Sequence, residues 1–143
     1  MTRKPSIYFV ASLLLGAFFT SGCAPSLQTT DASYRCHLGD ESVQTTLYFG
    51  LSRPAGPPVS AAEWQAFVDS VVTPRFKAGL TVFDAQGQWL GDNGAVVREN
   101  SKALLLIHGA EQESDIEALR AEYKARFAQE SVMRVDAPAC VAF

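Results

Sequence analysis

The sequence is poor in the residues that most site chemistry requires. Its 143 residues include 3 cysteines and 2 histidines, and no Cys-x-x-Cys or His-x-x-x-His unit sets up metal ligands at short range. A Walker loop and the dinucleotide-binding glycine pattern are both missing, so no cofactor is expected. Ser52, in Gly50-Leu51-Ser52-Arg53-Pro54, lacks the second glycine of a nucleophile elbow and reads as a strand-end hydrogen-bonding group. Basic residues do not predominate: 12 Lys and Arg stand against 15 Asp and Glu, and none of the positive charge is clustered. That balance argues against nucleic acid as a partner, because phosphate binding needs concentrated positive charge. Internal repeats, heptads and low-complexity tracts are absent as well, which leaves a single-domain reading without a rival.

What is present begins with a leader. Arg3 and Lys4 precede an apolar run from Ile7 to Phe19, and Thr20-Ser21-Gly22-Cys23 supplies the small residues a signal peptidase needs. A spanning helix takes roughly 20 predominantly apolar residues. The run between Lys4 and Thr20 is shorter and is interrupted by Ser12 and Gly16. Gly22-Cys23 resembles the bacterial lipobox, in which the cysteine becomes the acylated amino terminus. Thr20 departs from the leucine usual at that position, so ordinary secretory cleavage or an uncleaved anchor stays open. The expectation is a signal peptide over residues 1–22, a lipidated Cys23 carrying diacylglycerol and palmitate-type chains, and a tether to residue 35. Ala24, in place of the aspartate that retains such proteins at the inner membrane, points to the outer membrane facing the periplasm. Cleavage would leave 121 residues with 10 basic and 15 acidic side chains, a balance of −5, and one folded domain over residues 36–143.

Two cysteines remain after the anchor, Cys36 near the start of the domain and Cys140 near its end. In an oxidising envelope they are expected to pair. A four-ligand metal site of Cys36, His37, His108 and Cys140 is the competing reading, weakened by the lack of any closely spaced ligand pair.

Residues Val43 to Leu51 alternate, with Val43, Thr45, Leu47, Phe49 and Leu51 on one face and Gln44, Thr46 and Tyr48 on the other, which predicts a half-buried strand. Ser60-Ala61-Ala62-Glu63 is a capping box, and Trp64, Phe67, Val68, Val71 and Val72 follow at helical spacing. Pro74 predicts that this helix ends near Thr73. Leu80 to Leu90, with a bulge at Gly87, and Ala95 to His108 form a predicted hairpin around Gly91-Asp92-Asn93-Gly94. A second capping box over Ser114 to Glu117 opens a helix with Ile116, Leu119, Tyr123 and Phe127 on one stripe, and Ser131 to Asp136 is a last strand. Strand-helix-strand-strand-helix-strand is the order of the ferredoxin-like α+β sandwich with an antiparallel sheet. That topology sets the first and last strands side by side, which brings Cys36 near Cys140.

Phe49-Gly50, Trp64 to Phe67, Thr73-Pro74-Arg75-Phe76, Gly79-Leu80-Thr81-Val82, Gly87-Gln88-Trp89 and Arg98-Glu99-Asn100-Ser101-Lys102 together resemble the bacterial envelope family catalogued as domain of unknown function 3574. The resemblance covers about Cys36 to Phe143. It implies no activity and no functional residues, since the family is defined without either.

Candidate residues therefore come from the pattern itself. Taking Met133 and Val135 as inward places Arg134 and Asp136 outward beside Tyr48, with Gln44 and Lys102 near, as a polar-aromatic patch for an anionic or ring-bearing ligand. A solvated face with one charge pair is the plainer reading, and a homodimer through two such faces is a third. Trp89 beside Arg98 suggests a cation-π contact or an interface with an envelope protein. The acidic run Glu111, Glu113, Asp115 and Glu117 suits a helix start without any cation, and His108 reads as the close of the third strand. Binding or association without a recognisable catalytic mechanism is the expected function. The alternative is an isomerase or lyase acting on a small acid through Tyr48 and Arg134.

Overall fold

A computed structural model describes residues 35–143; the leader, Cys23 and most of the tether lie outside the described residues. The elements run β1 (Asp40–Gly50), α1 (Ala61–Phe67), a π-helical turn (Val68–Val72), α2 (Thr73–Arg75), β2 (Thr81–Leu90), β3 (Val96–His108), a 3-10 turn (Ala110–Gln112), α3 (Glu113–Phe127) and β4 (Met133–Val141). All strand pairs are antiparallel and the sheet order is β2-β3-β1-β4, the ferredoxin-like arrangement, with the helices on one face.

The core follows from the alternation of β1. Leu47 and Phe49 point to the helices and are fully buried, meeting Leu104 and Leu106 of β3. Phe49 is the hub of an aromatic cluster, 4.6 Å from Tyr123, 5.3 Å from Trp64 and 6.1 Å from Phe67 between ring centroids, all edge-to-face. Such pairs add about 0.5–1.5 kcal/mol beyond area burial. The buried Tyr123 hydroxyl donates to the Gly50 carbonyl at 2.8 Å, which satisfies its one polar group. Burial, with the nearby Glu99 charge, pushes that phenol above its ordinary pKa.

Local details depart from the sequence expectation in four places. Ser60 and Glu63 form the capping box of α1 as expected. The helix does not stop at Thr73: the π-helical turn, closed by the Thr73 N–H on the Val68 carbonyl, admits Pro74 into the first turn of α2, where a missing N–H costs nothing. Gly87 lies opposite Glu99 in unbroken register, so there is no bulge. The capping box at Ser114 does not form, because α3 begins two residues earlier, at Glu113 with Gln112 as its N-cap, and the Glu117 carboxylate is taken by Arg120 at 2.7 Å and Arg134 at 2.9 Å. Finally, β4 runs past Asp136 to Val141, through Pro138; as an edge strand it tolerates a residue that cannot donate.

Cys36 and Cys140 are joined by a disulfide with their Cα atoms 5.5 Å apart, at the end of the sheet where Glu41 faces Cys140.

Candidate functional site

Register decides which side chains share the uncovered face of the sheet. Directly opposed residues of antiparallel strands lie on one side. Tyr48 of β1 faces Ala103 of β3 and Met133 of β4, and Ala103 in turn faces Phe83 of β2, so these four form one row on the open face. Leu47, on the helix side, faces Arg134, and Thr45 faces Asp136.

Arg134 and Asp136 therefore do not join Tyr48. The expected alternation of β4 is inverted: Met133 and Val135 lie on the open face, 56 % and 50 % exposed, while Arg134 and Asp136 turn toward α3. Lys102 also leaves the expected patch, bonding Asp84 on the helix side, whereas Gln44 stays on the open face. The inward apolar residue at this end is Val132, 2 % exposed, which begins the strand's alternation one position earlier.

Arg134 instead anchors an ion-pair network. Its guanidinium donates to Glu113 at 2.6 Å, Glu117 at 2.9 Å and Asp136 at 3.0 Å. Asp136 also accepts the Thr45 hydroxyl at 2.6 Å, and Thr45 meets His108 Nε2 at 2.7 Å beneath the helix. The Arg134 bond holds Glu113 below the ordinary carboxylate range, the Thr45 bond followed by Arg134 does the same for Asp136, and Arg120 followed by Arg134 does so for Glu117. These carboxylates are engaged by arginine, and His108 is buried within the fold.

At the other end of the open face, where β1 leaves the sheet, lies a cleft of about 640 Å³. Tyr48, Trp89 and Met133 form its apolar walls, Glu99 and Ser101 rise from β3, and the segments Ser52 to Pro54 and Ala128 to Ser131 close its sides. Trp89 and Arg98 both line it, but they are not a cross-strand pair: Trp89 opposes Val97 and Arg98 opposes Gln88. Among the described residues the cation-π contacts are Arg53 over Phe127 and Arg126 over Phe67, each at 5.5 Å, so the expected Trp89–Arg98 contact is absent there.

The walls are fixed by contacts that sequence reasoning missed. Glu99 Oε1 accepts the Ser52 backbone N–H at 2.9 Å and lies where a β-carbon on Gly50 would come within 2.6 Å, so the absence of a side chain at Gly50 admits the carboxylate. Arg53 bonds Glu63 at 2.6 Å while stacked on Phe127, with its Nε buried and unpartnered, and this clamps the loop to the helices. The Arg53 bond and those from Ser60 hold Glu63 at a pKa of about 2. Gln129 donates to the Ser52 carbonyl and ties the two side segments together. Glu99 was not among the expected site residues, and its grip on Ser52 was invisible without the strand pairing. Among the described residues the ion pairs involve neither Glu99 nor Glu130, so both charges at the cleft are unneutralised by a partner.

A second hollow of about 380 Å³ lies at the far end of the same face, among Leu80, Thr81, Leu105, Ile107, Val141 and Phe143.

A solved structure of similar architecture supports the fold. A phage SAM lyase in complex with S-methyl-5'-thioadenosine superposes with a TM-score of 0.52 at 18 % identity, covering 76 % of this chain and 97 % of that one. CutA from Synechococcus elongatus gives a TM-score of 0.48 at 14 % identity, covering 69 % and 78 %. The periplasmic divalent cation tolerance protein CutA from Archaeoglobus fulgidus gives 0.48 at 13 %, covering 70 % and 87 %. At 18 % identity the likeness to the phage lyase is one of fold. No curated protein matches the sequence. The family model for "Protein of unknown function (DUF3574)" matches residues 44–143, and the chain belongs to that family.

Proposed function

We propose that this protein is a lipid-anchored domain of the bacterial envelope that acts by binding, with the Tyr48–Trp89 cleft on its open sheet face as the ligand site. The carrying observation is the convergence of Tyr48, Trp89 and Met133 on one cleft of about 640 Å³ with Glu99 at its wall. Ligand sites are typically concave, mostly apolar and oriented by a few polar groups, in volumes of roughly 300–1,000 Å³. A ring-bearing ligand with a polar end suits these walls: the aromatic faces take the ring, and the unneutralised charges orient the rest. Catalysis through Tyr48 and Arg134 has no geometric support, since the two side chains lie on opposite faces of the sheet. Likeness to the phage lyase supports the fold and not that enzyme's ligand. The anchor at Cys23, the outer-membrane address and the division at residues 22 and 35 rest on the leader pattern.

Tryptophan emission tests the site, because the chain has 2 tryptophans and only Trp89 is substantially exposed, at 48 % against 4 % for Trp64. A panel of aromatic acids, amines and nucleosides should contain a compound that shifts the emission. Trp89→Phe should abolish the shift, and Tyr48→Ala should weaken affinity about tenfold, on the order of 1.4 kcal/mol. If no compound moves the signal, the cleft is not a small-molecule site. The anchor is tested separately: globomycin or Cys23→Ala should leave a larger precursor that keeps its leader, and unchanged size would overturn lipidation.

A further inference from the structure

The open face carries a second property, which shares Trp89 and Met133 with the cleft. Following the register across the sheet, its charged side chains are Asp40 at one end and Glu99 at the other, with none between. The remaining charges of the strands, including Glu41, Asp84, Arg98, Lys102, Arg134 and Asp136, all fall on the helix side. This departs from the usual division. An antiparallel sheet with one solvated face alternates apolar-in with polar-out, yet here Phe83, Trp89, Met133 and Val135 stand on the uncovered face at 48–56 % exposure, with Leu105 and Ile107 behind them.

We propose that a second copy of this chain covers that face, the two sheets packing face to face. Three arguments select a second copy over a different partner. The first is charge. An isologous contact sets residue i against residue j and j against i, so a face whose charges share one sign, as Asp40 and Glu99 do, pairs with itself only where its middle is free of charge. The middle of this one is, while the chain as a whole has 15 acidic and 12 basic residues and would otherwise repel its copy. The second is area. Four strands at about 4.8 Å spacing and about nine residues at about 3.3 Å each present roughly 20 by 30 Å, or about 600 Å² per copy. A pair would bury about 1,200 Å², at the threshold of specific, stable interfaces. The third is the placement of Asp40 at one extremity and of Glu99 toward the other, short of the Trp89–Val97 row, where a charge near the rim remains hydrated and costs little. Pairing goes beyond ligand binding and would roof the cleft's open side.

The test uses the full-length chain with its leader, expressed in a bacterial host as two differently tagged copies, with a photoreactive benzoylphenylalanine in place of Phe83 or Val135. Illumination should give a product of twice the monomer mass carrying both tags. Val135→Glu, at a half-exposed edge position that the fold tolerates, should reduce that product at least tenfold when the probe is at Phe83. The same probe at Leu90, which projects on the other side of the hairpin and is 69 % exposed, should give none. Equal yield from Leu90 and Phe83 would overturn the assignment of the contact to this face. Crosslinks only to a different protein, or none at all, would overturn self-pairing. The tryptophan titration at Trp89 would still decide the ligand site on its own, so the two failures are distinguishable.

Discussion

Ala128 closes α3 at φ 54° and ψ 43°, a left-handed conformation in which a β-carbon crowds the adjoining carbonyl at a cost of roughly 1–2 kcal/mol. Glycine ordinarily takes this place. Here the strained residue lines the cleft and sets the course of the Gln129–Ser131 segment that walls it. Ala128→Gly should therefore stabilise the protein by about 1 kcal/mol, partly offset by the glycine's greater freedom when unfolded, and urea denaturation would show the higher midpoint. Gly39 behaves oppositely. Its φ is +81°, and a β-carbon there would strike the backbone carbonyl of Val141, which cannot swing aside like a side chain. Gly39→Ala should destabilise by about 2–4 kcal/mol, with the loss visible in the same measurement. Neither position stood out in the sequence, because a left-handed backbone at an alanine and a close approach between two remote chain ends are properties of the assembled structure.

At the scale of elements, β4 shows why strand facing is harder to read than strand position. Met133 and Val135 are apolar, and the rule that apolar residues face the helices put them inward; the rule failed because this sheet is apolar on the side the helices leave bare. The helix side of β4 is instead held by charge, through Arg134 to Glu113 and Glu117 of α3. That contact has a predictable pH dependence. The folded pKa values of Glu113, Glu117, Asp136 and Glu63 all lie below their ordinary ones, so these groups stabilise the fold above the ordinary carboxylate range and lose that contribution as pH falls through their folded values. The carboxylates are about half exposed, so solvent screening keeps the contribution of each pair small. Thermal melts between pH 7 and pH 2 should show the melting temperature constant down to about pH 5 and falling below it. Arg134→Met should flatten part of that fall. A profile unchanged by the substitution would mean the network adds nothing to stability.

For the molecule as a whole, much was legible because the order of elements and their apolar spacing admit few topologies, and the adjacency of β1 and β4 follows from the order alone. The cleft was not, because Tyr48, Trp89 and Gln129 come from three separate elements that only the register brings together. The disulfide and the cleft sit at opposite ends of β1: Glu41 faces Cys140, and Gly50 is nine residues on, about 30 Å along an extended strand. The bridge closes a separation of 104 residues, for which chain entropy sets a contribution of up to about 4.7 kcal/mol at 25 °C. It acts mainly on the unfolded chain. The double substitution Cys36→Ser and Cys140→Ser should therefore lower the urea midpoint by that order while leaving the native register at Tyr48 and Trp89 intact. Trp89 emission and its response to a bound compound should be unchanged below the transition and lost within it, since only global unfolding, and not a local rearrangement, connects the bridge to the cleft. A changed emission in the folded baseline would show instead that the bridge strains the sheet along its whole length.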